Sequence, residues 1–191
     1  MKRLVLAVVA LAILAMIATP ATAKKEDYIE RFDAVAASVQ GGRGGMEVVR
    51  FGIKEWTSAE DREEMIAAFK EGGSEALVEW LSKQPVMALG MGQDGRPYDM
   101  MYAFQSKVDD KRTIVLATNR PILGVEQIAG SGRSLRYNVS LIQLQFEPGK
   151  NKGTGTMILG AWLTMKDGKL IIENAALQPI RLTSVKDRMK N

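Results

Sequence analysis

The chain has 191 residues, with 26 Lys and Arg against 22 Asp and Glu, no cysteine and no histidine. The absent histidine excludes Ser-His-Asp and Cys-His catalysis, the usual zinc sites and a histidine pH switch. The absent cysteine means that packing, not disulfides, must hold the fold, and the length suffices for one domain with its own core.

The N-terminus reads as a cleavable export signal. Lys2 and Arg3 form a positive start, Leu4 to Ala18 is an uncharged apolar run, and Pro20 is followed by Ala21-Thr22-Ala23. Small residues at the first and third positions of that triplet fit signal-peptidase cleavage after Ala23. The run is shorter than the ~20 apolar residues of a spanning helix, and with no cysteine at the cleavage point a lipoprotein anchor is excluded. Residues 1–23 are therefore expected to be a signal peptide and residues 24–191 one exported domain, periplasmic or extracellular, with no membrane span after cleavage. Loss of Lys2 and Arg3 takes the 26 basic residues to 24 against 22 acids. A near-balanced surface of this kind lacks the basic stripe of a nucleic-acid binder.

Along the mature chain, Tyr28 to Val39 fits both a strand and a helix face, and a strand is preferred because a clear strand follows the glycine turn Gly41–Gly45. Met46 to Trp56 alternates, with Val49, Phe51 and Ile53 on one side. Thr57-Ser58-Ala59-Glu60 reads as a capping box that opens a helix bearing Met65, Ile66 and Phe69. Acids at Glu60, Asp61, Glu63 and Glu64 suit the positive helix start. Gly72-Gly73 ends that helix, and Ser74 begins a second one that Pro85 closes. A helical hairpin is expected at about residues 58–84.

From Val86 onward the pattern is antiparallel β. Tyr98, Met100, Tyr102 and Phe104 alternate as one strand face; Asp109-Asp110 turns the chain into Thr113 to Thr118. Pro121 to Gly132 is irregular, with a helical turn expected at Val125 to Ile128, and Leu135 to Phe146 is a strand. Met157, Leu159, Ala161, Leu163 and Met165 line one face of a long strand. Asp167-Gly168 is a type I′ pair that sets Met165 opposite Leu170 and Leu163 opposite Ile172. Leu177 to Val185 closes the sheet. Seven or eight strands and one helical insertion give an α+β, β-rich class: an antiparallel sandwich or a partly closed barrel with one helical hairpin.

The chemistry-bearing motifs are sparse. Gly90-Met91-Gly92-Gln93-Asp94-Gly95 has the spacing of a dinucleotide loop, but an alternating strand follows it instead of a helix, so a hairpin turn is the better reading. Asp109-Asp110 supplies too few oxygens for calcium. The acids of the helix start are explained by the helix dipole, and Ser184 with Lys186, two apart, would share one face of a strand as a Ser-Lys pair. The methionines offer thioethers for copper(I), but read first as adaptable core filler or the lining of an apolar pocket.

No cofactor or metal is expected. The leading expectation is a non-enzymatic module that binds a small apolar ligand or an envelope partner. The alternatives are a hydrolase using carboxylates or a Ser-Lys pair, and a protein-binding inhibitor or assembly factor. Under the pocket reading the candidate ligand-binding residues are Tyr98, Tyr102 and Phe104, with Arg120 to clamp a carboxylate.

The chain also resembles a group of small exported bacterial proteins of unassigned function. The likeness rests on Trp56-Thr57-Ser58-Ala59-Glu60-Asp61-Arg62, Lys70-Glu71-Gly72-Gly73, Ile114 to Pro121 and Gln178-Pro179-Ile180-Arg181-Leu182. It implies a bacterial envelope or secreted protein and brings no activity or site residue; where such relatives carry an acid, this chain has Asn119.

Overall fold

The computed structural model describes residues 27–38, 45–92, 95, 97–122, 137–174 and 178–189. The expected signal segment, residues 41–44 of the glycine turn and the irregular stretch from 123 onward lie outside these residues. The elements in chain order are β1 (Glu30–Ser38), β2 (Gly45–Ile53), α1 (Ala59–Ser82), β3 (Ala88–Met91), β4 (Pro97–Met100), β5 (Tyr102–Val108), β6 (Lys111–Thr118), β7 (Val139–Phe146), β8 (Lys152–Lys166), β9 (Lys169–Asn174) and β10 (Ile180–Asp187).

All ten strands belong to one antiparallel sheet ordered β4-β3-β2-β1-β10-β8-β7-β6-β5, with β9 branching from β8. The two ends of that order are consecutive in the chain. β4 pairs with β3 and β5 pairs with β6, and only Met101 separates them. One bent stretch of backbone thus joins both edges, so the sheet curls into a nearly closed barrel. At the bend, Thr57 N–H donates to Ala103 O at 2.7 Å, and Ala103 N–H donates to the Thr57 hydroxyl at 3.0 Å. These bonds satisfy backbone groups that the change of partner would otherwise leave bare.

This use of Thr57 moves the helix start by one residue from its expected place. Ser58 is the N-cap: its hydroxyl accepts from Asp61 N–H at 3.0 Å and donates to the Asp61 carboxylate at 2.7 Å. Within α1 two helical segments meet across a kink at Gly73, where the sequence places the break; its φ of 65° and ψ of −147° suit glycine alone. Ser74 begins the second segment. Its buried hydroxyl accepts from Leu163 N–H at 2.7 Å, fastening α1 over the second half of β8. Among the described residues no helix is long and apolar enough to cross a membrane.

Two cores result. Inside the barrel lie Phe32, Val49, Phe51, Ile53, Met100, Ile114, Leu116, Ile142, Leu144, Leu182 and Val185. Between the barrel's outer surface and α1 lie Leu77, Leu81, Tyr102, Ala117, Val139, Ala161 and Leu163. Strands β6 and β7 are therefore apolar on both faces, as strands covered on both sides must be.

Irregularities decide which residues reach which core. The β7–β8 register shifts between Val139 and Leu141, so Met157 faces the barrel interior while Ala161 and Leu163 face the helix. The single β8 face expected from alternation is split by that bulge. In β10 the register shifts between Leu182 and Val185, where exposed Ser184 takes φ 51°. The Asp167-Gly168 turn has both residues at positive φ and pairs Met165 with Leu170 and Leu163 with Ile172, as the turn chemistry requires.

The barrel's two ends differ. At one end Arg112, from β6, lies among Glu30 of β1, Gln105 of β5 and Asp187 of β10. Its Nη2 donates to both Glu30 oxygens at 2.6 and 2.7 Å and to Gln105 Oε1 at 2.9 Å, while Nη1 lies 3.4 Å from Asp187 Oδ2. The guanidinium carbon is 6.0 Å from the ring centroids of both Phe32 and Phe146. Strands from opposite walls are tied across the lumen, so this end is plugged. The other end holds the cavity.

Candidate functional site: an apolar cavity at the open end of the barrel

Inward-facing residues near the free ends of β1, β2, β3, β4 and β10 do not meet across the lumen. They leave a cavity of about 260 Å³. Phe51, Met100 and Ile142 are almost fully buried beneath it. Val49, Ile122, Leu159 and Ile180 complete an aliphatic wall, and Met91, Met100 and Met157 also line the space. The polar side chains of the lining are those of Glu47, exposed at the rim opposite Ala36, and Tyr98.

Local devices hold this space open. Gly90 is one. A Cβ built on it lies 2.9 Å from Met100 Cε and 3.6 Å from Phe51 Cδ1, so any side chain here would project into the cavity. Ser140 is another, buried on β7 opposite the β8 bulge. Its hydroxyl accepts from Ile122 N–H at 3.1 Å and lies 2.8 Å from Leu159 O and 2.9 Å from Arg120 O, one of which takes its proton. That bond, with Ile122 N–H to Leu159 O at 3.1 Å, pins Ile122 against the cavity.

The four residues singled out from sequence separate in space. Tyr98 lines the cavity. Tyr102 and Phe104 do not share its face, because the bend at Met101 reverses the alternation. They stack on each other at 6.2 Å outside the barrel, in the core beneath α1. There the Arg62 guanidinium lies 5.1 Å from the Phe104 ring, and burial pushes the Tyr102 hydroxyl above the ordinary phenol range against the lowering pull of Arg62. Arg120 is half-exposed, with its guanidinium 3.8 Å from the Asp99 carboxylate, and does not line the cavity.

Alternation put Met100 beside Tyr98, but it missed Gly90 and the convergence of Met91 and Met157 on the same space. The methionines are scattered in sequence and converge only once the barrel closes. The glycine-rich run around Gly90 was the available signal. Its first residue lies within β3 and leaves room in a lumen; it opens no helix. Among the described residues no group of three or more acidic side chains is placed to hold a metal ion. Comparison of the chain with family models, with curated proteins and with solved structures finds no match.

Proposed function

We propose that this protein is an exported, non-enzymatic binding module that takes a small apolar ligand into the open end of its barrel. We also place it with the small exported bacterial proteins that its sequence resembles. The observation that carries the binding reading is the apolar cavity itself. Packed interiors carry few voids larger than a water molecule, and a space with this lining offers water few polar partners, which favours an apolar occupant.

Size bounds the ligand. A cavity of 150 Å³ holds benzene, so one of about 260 Å³ scales to roughly ten non-hydrogen atoms. It lies just below the usual range for drug-sized ligands. At ~0.6 kcal/mol per atom, within the span for small ligands, binding contributes about 6 kcal/mol, a Kd of some tens of micromolar. Methionine side chains adapt to shape, which suits a class of small hydrophobes more than one rigid compound.

A calorimetric titration with a size series tests this. Benzene, indole and a three-ring aromatic should bind at one site, with affinity rising to about ten atoms and falling beyond. Heat that never saturates, or affinity that rises with size without limit, would mean surface adsorption and would contradict the proposal.

A further inference from the structure

The ribbon formed by β9 and the second half of β8 continues past the barrel. Among the described residues β9 pairs with β8 alone. Its central residues Leu170, Ile171 and Ile172 are 50%, 40% and 40% exposed, and Met165 opposite Leu170 is 46% exposed. Edge strands are ordinarily guarded by central charges, prolines or bulges. β9 has none of these in its middle; its two charged residues, Lys169 and Glu173, flank the apolar triplet.

We propose that β9 pairs antiparallel with β9 of a second copy of this chain. The pattern is complementary to its own reversal. Around a two-fold axis at Ile171, Ile171 meets its own copy, Leu170 meets Ile172, and Lys169 meets Glu173, twice. Residues directly opposite in an antiparallel pair share a face. Lys169, Ile171 and Glu173 thus form one face of the joined ribbon. Leu170 and Ile172 fall on the other, beside Met165, and the two copies' apolar patches merge there. The contact is self-complementary, as a two-fold dimer interface must be. A register slipped by two residues would set Ile171 opposite Glu173 and remove the charge match, so the sequence favours this register. A six-residue edge is a small interface. The dimer is accordingly a concentration-dependent equilibrium and not a permanent assembly.

The test is sedimentation equilibrium of the purified protein over about 1–500 µM, bracketing the affinities such small interfaces reach. The wild type should pass from monomer to dimer. Lys169→Glu alone and Glu173→Lys alone should each weaken the dimer about tenfold or more, because each sets two pairs of like charges opposite one another. The double variant carrying both changes restores the match and should dimerise like the wild type. A mixture of the two single variants should form a heterodimer. All four side chains involved are exposed, so circular dichroism should show unchanged folds. A wild type that stays monomeric throughout, or a dimer indifferent to the charge exchanges, overturns the proposal.

Discussion

Replacing Arg112 by methionine should lower the unfolding free energy by about 3 kcal/mol, a loss larger than almost any surface substitution causes. The side chain is one-fifth exposed, and its principal partners Glu30 and Asp187 are 18% and 2% exposed. Methionine keeps much of the apolar stem but withdraws the charge, leaving two carboxylates facing each other at the plugged end of the barrel. Breaking a buried pair costs more than the pair contributes, because the remaining charge stays desolvated. The cation contacts to Phe32 and Phe146 vanish with it. Urea denaturation should show a lowered midpoint, and for a chain of this size the melting temperature should fall by about 10 °C. Arg112→Lys should recover only part of the loss, since an ammonium cannot reach Glu30, Gln105 and Asp187 together as a planar guanidinium does. A change below about 1 kcal/mol for Arg112→Met, the level of an exposed ion pair, would show that the plug does not hold the barrel together.

The second large effect is on binding. Gly90→Leu should abolish uptake of small aromatics, weakening it more than tenfold, while shifting the melting temperature by only a few degrees. The backbone at Gly90 is not in the left-handed region, so a side chain is conformationally tolerated. Its Cβ would press first on the terminal methyl of Met100, a flexible neighbour, and then extend into the cavity. Four added carbons at ~25 Å³ each, the share per atom when benzene fills 150 Å³, take up about 100 Å³ of the space. Filling a void also recovers contacts, which offsets the strain of moving Met100. The readout is the same calorimetric series applied to the variant. Retained affinity would mean that the ligand sits elsewhere.

Strand assignment was legible because burial imposes a period of two. β2 shows its inward face as Val49, Phe51 and Ile53, and the β8–β9 register follows from Asp167-Gly168 alone. The barrel's closure was less so. It depends on a bend at Met101 that no glycine or proline marks, and one residue out of step reverses every side chain beyond it. Tyr98 and Tyr102 therefore look like neighbours on one face and lie on opposite sides of the barrel wall. The bulge in β8 separates Met157 from Ala161 and Leu163 in the same way. Ser58 and Thr57 are both competent N-caps, and only the approach of Ala103 decides between them. Arg112 follows Asp109-Asp110-Lys111 and reads as one more charge at a turn. Its role appears only when closure brings Glu30 of β1 and Asp187 of β10 within reach of β6. The cavity is a property of closure, so its lining is drawn from strands that no local pattern connects.

Methionine-methyl NMR tests the binding account most directly. With ¹³C-methyl methionine incorporated, each thioether methyl reports its own surroundings. Titration with indole should shift the signals of Met91, Met100 and Met157 together, along one saturating curve. The exposed Met46, Met165 and Met189 should stay where they are. Signals that move only at the exposed methionines, or cavity signals that stay fixed up to the solubility limit, would show that the open end of the barrel is not a ligand site.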